Sequence, residues 1–245
     1  MKGVILAGGK GTRLHPLTRI TNKHLLPVYD RPMVTYVIET LVSAGVTELM
    51  LVTGGTHAGE FLRLLGSGHD YGIDRLSYAY QEGEGGIAEA LGLAERFCDG
   101  DRFVVMLADN IVEASLRPTV ERFSSQASGA RIVLSRVESP EHLRHLGVPE
   151  FDGDGRITRI VEKPETPPSE FAVTGIYLYD ERVFGIIPTL APSARGELEI
   201  TDVNNSYLER GEMEYDVLEG FWGDAGESID SYYAVNDFVR RRVGA

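Results

Sequence analysis

The sequence is short of the groups that several kinds of chemistry require. Cys98 is the only cysteine among 245 residues, so no intrachain disulfide forms and no thiolate metal site is available. No apolar run approaches the ~20 residues that span a bilayer. The chain opens directly on strand-forming residues instead of a signal peptide, which makes a cytoplasmic location the expectation. Cations are also scarce: 24 Lys and Arg stand against 37 Asp and Glu, a formal net charge of −13. Duplex binding depends on cations that neutralise phosphates, so this balance argues against nucleic acid as a partner. Small phosphorylated ligands stay open. Fields are screened over about 8 Å at physiological salt, and a local group of Arg and Lys with a metal ion sets its own potential. Internal repeats, low-complexity segments, a flexible linker and a Ser-His-Asp or Cys-His arrangement are lacking as well.

What is present begins at the first residues. The apolar run Val4-Ile5-Leu6-Ala7 stops at Gly8, Gly9 and Gly11, with Lys10 and Arg13 among them. Such a run reads as a buried strand, and glycines after it let backbone N–H groups approach a ligand. Backbone donors beside a guanidinium make a cradle for phosphate. The loop is not a P-loop, because Lys10 is followed by Gly11 instead of Ser or Thr. Nor is it a dinucleotide fingerprint, since Thr12, Arg13 and Leu14 follow the glycines. An ordinary glycine-rich turn is the plain alternative when the loop is taken alone.

Strand and helix signals alternate through the first half. Strands are expected at 2–7, 48–53, 76–81, 102–107 and 130–137, with helices at 33–44, 60–65, 87–97 and 116–126 between them. Alternation of this kind predicts parallel pairing and a doubly wound, mostly parallel α/β sheet, with ligands at the carboxyl ends of the strands. The second half changes character. A hairpin turn at Asp152-Gly153-Asp154-Gly155 separates strands 148–151 and 156–161, and prolines precede a strand at 172–179. Helices follow at 181–187 and 201–210, then a strand at 215–218 and a closing helix at 228–242. We expect one domain over residues 1–245, with a nucleotide-binding half (1–137) and a smaller sugar-phosphate-binding half (138–245).

Four clusters carry potential chemistry. Lys23, after Thr21-Asn22, is placed to fold back over phosphates held by the first loop, a surface lysine being the alternative. Gln81 at a strand end offers a donor and an acceptor to a pyrimidine edge, and Gly86 at a helix start permits close approach to that base; a polar turn explains them equally. Asp109-Asn110 follows the buried run Val104–Leu107, and Asp224 lies in Trp222-Gly223-Asp224-Ala225-Gly226. Two carboxylates with substrate phosphates and water suit Mg²⁺, while a helix cap is the alternative for each. Finally, Glu162 is suited to sugar hydroxyls, and Lys163 and Arg195 to a sugar phosphate, while Glu162-Lys163-Pro164 taken alone is merely a strand end before a proline break.

In this order, over essentially the whole chain, the clusters resemble the sugar-nucleotide pyrophosphorylases. The stretch Pro192–Asp202 is similar to their thymidylyl branch. The resemblance implies a Rossmann-like nucleotidyltransferase fold that joins dTTP and glucose 1-phosphate and releases pyrophosphate. It places Leu6, Gly8, Gly9, Gly11, Thr12, Arg13, Gln81, Gly86 and Asp109 on the nucleotide. Asn110, Gly147, Glu162, Lys163, Val173 and Arg195 fall on the sugar phosphate, and Asp109 and Asp224 on Mg²⁺. Arg13, Lys23, Asp109, Lys163 and Asp224 form the implied catalytic set, and a homo-oligomer, commonly a tetramer, is the implied assembly.

Four positions depart from that pattern. Ala108 replaces the glycine that commonly precedes the metal aspartate. The segment Pro140–Val148 is longer than usual and has Leu146 in place of an aromatic residue, in a loop that borders the sugar in relatives. Glu227 stands where Thr or Ser is usual. The chain also ends soon after the closing helix, so regulatory nucleotide-sugar sites at subunit contacts are not a firm expectation. Alternative readings are the same reaction with UTP or another sugar 1-phosphate, because a missing methyl is worth only about 1–3 kcal/mol in an apolar pocket. A silent nucleotide-sugar-binding protein is a third, which the intact set of Arg13, Lys23, Asp109, Lys163 and Asp224 speaks against.

Overall fold

The apolar run after Lys2 forms β1 (Lys2–Ala7), whose residues from Gly3 onward are buried. The structure is a computed structural model that describes residues 1–243. After β1 come the short ribbon β2 (Pro27–Val28) and β3 (Arg31–Pro32), helix α1 (Met33–Ser43), β4 (Glu48–Gly54), α2 (Ala58–Leu65) and β5 (Arg75–Gln81). Then follow α3 (Ile87–Gly92), α4 (Glu95–Cys98), β6 (Phe103–Leu107), β7 (Asn110–Val112), α5 (Arg117–Ser125) and β8 (Ala130–Arg136). The remainder comprises α6 (Pro140–Leu143), β9 (Gly147–Phe151), β10 (Ile157–Glu162), β11 (Phe171–Tyr179), α7 (Val183–Ile186), α8 (Ile200–Glu209), β12 (Met213–Val217), β13 (Trp222–Asp224) and α9 (Ile229–Val243).

Seven strands make one sheet in the order β12-β8-β11-β6-β1-β4-β5. All neighbouring pairs are parallel except those of β11, which runs antiparallel to both β6 and β8. Successive residues of a strand face opposite sides, and β1 shows the consequence. Val4 and Leu6 pack into the core beneath α3, α7 and α8, while Ile5 and Ala7 pack into the core beneath α1, α2 and α5. Strands buried on both faces read as unbroken apolar runs, which is why β1 and β6 are plain in the sequence. The strand β11 reverses direction because it follows the β9–β10 hairpin, where the βαβ alternation has ceased.

Two helices differ from expectation. The helix anticipated at 87–97 divides into α3 and α4. At Gly92–Ala94 the chain tightens to i→i+3 bonds, with Leu93 N–H on Ala90 O and Ala94 N–H on Leu91 O. The helix anticipated at 181–187 contracts to α7, followed by a 3-10 turn over Ile187–Thr189. Pro188 has no N–H with which to continue the i→i+4 ladder, although Ile187 before it keeps helical dihedrals. The remaining expected elements appear with ends shifted by one or two residues.

A polar cluster closes the C-terminal end of β11. Asp180 accepts from Gly129 N–H at 2.7 Å, from the Tyr207 hydroxyl at 2.9 Å and from Arg182, which also bonds Glu212 at 2.7 Å. Burial raises the Asp180 carboxyl, but Arg182 and the other donors outweigh it, and the net shift lies below the ordinary 3.8. A depressed folded value stabilises the fold above 3.8, and that contribution disappears as pH falls through the folded value. Urea unfolding of Asp180→Asn should therefore show a loss of about 1–3 kcal/mol at pH 7. The gap to the unaltered chain should close in acid, and a gap that persists below the folded value would refute the assignment.

Candidate active site

The parallel strands β1, β4, β5 and β6 end on one edge, and the first loop leaves β1 there. Gly9 and Gly11 take left-handed backbone (φ 88° and 62°), and a side chain at Gly11 would press on Cβ of Lys23 at 3.0 Å. Thr18 ties the loop down by donating to Gly11 O at 2.7 Å. Thr12–Leu14 form a 3-10 turn with Leu14 buried, which leaves Thr12 and Arg13 exposed at the rim. Arg13 makes no ion pair among the described residues, whereas the outward-facing Lys10 is paired with Glu84 at 3.0 Å. The loop therefore presents Arg13, not Lys10, as its unengaged cation.

Lys23 is not a surface lysine. Asn22 donates to Ala7 O at the end of β1 and accepts from His24 N–H at 2.9 Å, which caps a 3-10 turn over Lys23–Leu25. The turn aims Lys23 Nζ at Asp109 Oδ2, 2.5 Å away. His24 is buried with Nε2 3.7 Å from the same oxygen. Burial holds His24 below its ordinary range against the pull of Asp109, so its imidazole is neutral near pH 7. For Asp109, burial raises the carboxyl but Lys23 and His24 overcome it, and the group stays ionised.

Asp224 reaches Asp109 through a two-stranded ribbon. β7 pairs with β13 so that Asn110 lies opposite Asp224, and Ala225 N–H bonds Asp109 O at 2.9 Å. Burial raises the Asp224 carboxyl, and the Asp109 charge raises it further. Neither aspartate caps a helix: Asp109 leads into β7, and Ser228 accepts from Ser231 N–H at the start of α9. Gly226 is required here by close approach, because a Cβ would collide with Asp109 Oδ2 and lie 2.7 Å from Lys23 Nζ. Asn110 joins three strands by donating to Asp109 Oδ1 and accepting from Gly175 N–H at 2.8 Å and Trp222 Nε1 at 2.7 Å. Ala108 is fully buried on the α1 side, where its methyl group packs into the core instead of entering the site.

On one flank of the aspartates, Gln81 lies buried at the end of β5. Its oxygen would sit 2.9 Å from a Cβ at Gly8, and its Nε2 donates to Gly86 O at 3.3 Å and Glu89 at 3.0 Å. Leu198 N–H bonds Gly85 O at 2.8 Å and Leu198 O accepts from Ala88 N–H, so the 195–199 segment is laced to the turn that carries Gly86. On the other flank, Glu162 Oε1 lies 3.6 Å from Lys163 Nζ and 3.7 Å from Arg195, and its Oε2 accepts from Thr201 at 2.6 Å. Arg195 pairs most closely with Glu199, at 2.9 Å. Gly147 faces Glu162 across the β9–β10 ladder, and Val173 lines β11 close by. Tyr177 is buried on β11, and burial first, then the charges of Glu162, Asp109 and Asp224, raise its hydroxyl.

The anticipated residues thus fall into linked groups: Lys23 with Asp109, Asn110 and Asp224, and Gln81 and Gly86 laced through the 195–199 segment to Arg195, Glu162 and Lys163. His24, Asn22, Glu89, Thr201, Trp222 and Tyr177 were not anticipated. His24 and Asn22 flank Lys23 and were legible by adjacency, whereas Tyr177 is hidden in an apolar strand and Trp222 declares itself only through its bond to Asn110.

A family model described as nucleotidyl transferase matches residues 2–242. A glucose-1-phosphate thymidylyltransferase of Actinoplanes sp. is 44% identical over 243 residues, covering 98% of this chain and 78% of that protein. Its counterpart in Neisseria meningitidis is 43% identical, over 98% and 83% respectively. Among solved structures, a Bacillus anthracis protein assigned as a glucose-1-phosphate thymidylyltransferase, crystallised with sucrose, superposes with a TM-score of 0.92 at 48% identity. That match covers 98% of this chain and 95% of that one. A UDP-glucose pyrophosphorylase solved with UDP-glucose shares the fold, with a TM-score of 0.84 at 24% identity and 98% of both chains covered. With a phosphate-suited loop, two facing aspartates and a second cation cluster, the chain belongs to the nucleotidyl transferase family.

Proposed function

We propose that this chain transfers the thymidylyl group of dTTP to α-D-glucose 1-phosphate, giving dTDP-glucose and pyrophosphate. The observation that carries the reading is the presence of two separate cation sets, one at the Asp109–Asp224 pair and one gathered at Glu162. Lys23 and the exposed Arg13 stand on one side, Lys163 and Arg195 on the other. A two-substrate reaction between phosphates needs this division, and relatives 43–44% identical over nearly the whole chain carry that activity in their names.

The chemistry is positioning and electrostatics. An oxygen of the sugar phosphate, ionised at neutral pH, attacks the α-phosphorus, and the bond to the bridging oxygen of the leaving pyrophosphate breaks. No protein base is needed, which agrees with the neutral, buried His24. Lys163 and Arg195 hold the attacking phosphate, and Arg13 and Lys23 meet the charge that accumulates on the departing one. Gln81 turns its amide from Gly86 and Glu89 toward the base edge, while Glu162 accepts from sugar hydroxyls.

The aspartate pair fits Mg²⁺, because the buried Asp109 and the half-buried Asp224, whose carboxyl its neighbour already raises, gain from a shared dication. When held by Asp109 and Asp224, Mg²⁺ supplies charge neutralisation at the α-phosphate. On the resemblance alone we also propose a homo-oligomer; sedimentation showing only monomer would remove that part.

Pyrophosphate release measured over a grid of nucleoside triphosphates and sugar 1-phosphates should peak with dTTP and glucose 1-phosphate. A maximum with UTP or another sugar would overturn the substrate assignment, and no turnover with any pair would overturn the reaction. Chelation by EDTA should abolish turnover and Mg²⁺ restore it; full activity in EDTA would sink the metal assignment. Asp109→Asn should lose about 10²- to 10³-fold in kcat with an unchanged circular dichroism spectrum. Gly226→Ala should lose at least about tenfold, because its methyl group displaces the Lys23–Asp109 pair. Near-normal rates in either variant would contradict the site as drawn.

A further inference from the structure

Two of the departures noted in the sequence, the lengthened segment before Gly147 and the carboxylate at Glu227, meet in space. Ser139 caps α6 by accepting from His142 N–H at 3.2 Å. Leu143 anchors the helix in a small apolar cluster with Val137, Val148 and Ala172, with Leu146 and Trp222 packed against it. The His142 ring lies parallel to the Trp222 indole, with 6.3 Å between centroids and 10° between planes. Its Nε2 stands 2.6 Å from Glu227 Oε2, in a pair whose carboxylate side chain is only 12% exposed. Glu227 holds the His142 imidazole above its ordinary range, which favours the charged ring.

His142 thereby touches the chain on both sides of Asp224, two residues before it at Trp222 and three after it at Glu227. The other end of the segment is bound to the sugar-phosphate cluster. Leu146 O accepts from Lys163 N–H at 3.0 Å, and Gly147 sits opposite Glu162 in the ladder. Lys163 itself has left-handed backbone (φ 46°), a conformation a lysine holds only when its surroundings impose it. One short segment thus connects the loop of Asp224 to the backbone of Lys163.

We propose that His142 and Glu227 form a clasp that sets the distance between Asp224 and Lys163, and so positions the sugar phosphate for attack. They are positioning residues, since neither belongs to the cation sets that meet the phosphates. The inference rests on the reaction proposed above, and its effect falls on the acceptor side. Asp224 is held independently by the β7–β13 ribbon and the Ala225 N–H bond to Asp109 O, so loss of the clasp shifts the segment that carries Lys163 instead. The nucleotide loop, Lys23 and Gln81 hang from β1 and β5, to which α6 makes no hydrogen bond among the described residues.

The test is a double-mutant cycle of His142→Ala, Glu227→Thr and the double variant, with KM measured separately for each substrate. Each single change should raise KM for glucose 1-phosphate about three- to tenfold and leave KM for dTTP within about twofold. The double variant should match the singles, because either change opens the same clasp. Losses that multiply, a parallel rise in both KM values, or unchanged kinetics would overturn the clasp. Amide hydrogen exchange judges it without reference to turnover: the Lys163 amide should exchange about three- to tenfold faster in both single variants. Unchanged exchange would overturn the clasp even if the unaltered chain turned over no substrate pair, an outcome that by itself would refute only the reaction.

Discussion

A carboxylate buried at the end of a parallel strand needs a cation, and Asp109 obtains one from Lys23 before any ligand arrives. That single ion pair explains much of the local architecture. It accounts for the anchoring of Asn22 to the end of β1, for the 3-10 turn that aims Lys23 inward, and for the lack of a side chain at Gly226. It also explains why Asp224 is the unsettled member of the pair, raised by burial and by a neighbour whose charge is already secured. An uncompensated buried charge would cost several kcal/mol, so the turn and the close approach are the geometry that charge balance demands.

The sugar side follows the same logic with more exposure. Glu162 sits within 3.7 Å of both Lys163 and Arg195, and Thr201 fixes its other oxygen. Arg13 apart, the cations of both clusters are thus held by carboxylates in the resting site. Binding of a phosphate becomes an exchange of partners between charges already gathered, with little new desolvation of the protein. The left-handed backbone of Lys163 belongs to this arrangement, because it turns the chain away from β10 while its N–H remains bonded to Leu146.

Much of this was legible in the sequence, for identifiable reasons. The strands β1 and β6 are buried on both faces, so they appear as unbroken apolar runs, and the polar residues after them mark the edge where ligands collect. Arg13, Asp109, Glu162, Lys163, Arg195 and Asp224 could be proposed because each follows a strand or a proline or glycine break, and Lys23 because it precedes an apolar patch close after the first loop. The contacts that assemble them could not. The β7–β13 ribbon joins residues more than a hundred positions apart through three-residue strands, too short to show a period of their own. The pairing of His142 with Glu227 was invisible for the same reason, although Glu227 and the segment that holds His142 each stood out. Helix lengths were misjudged at Gly92, where local tightening overrode an apolar pattern that continued past it, and just before Pro188, where the last turn is 3-10.

The two bonds between Leu198 and the Gly85–Ala88 turn have a consequence for engineering. The stretch that carries Arg195 and the turn that carries Gly86 share a backbone ladder, so neither is an independent module. Grafting a different base-reading turn onto this scaffold would leave the Leu198 N–H and carbonyl without partners unless residues 195–199 were transplanted with it. The natural unit of exchange in recombination between relatives is therefore the laced pair of segments, though the two lie a hundred residues apart in the chain.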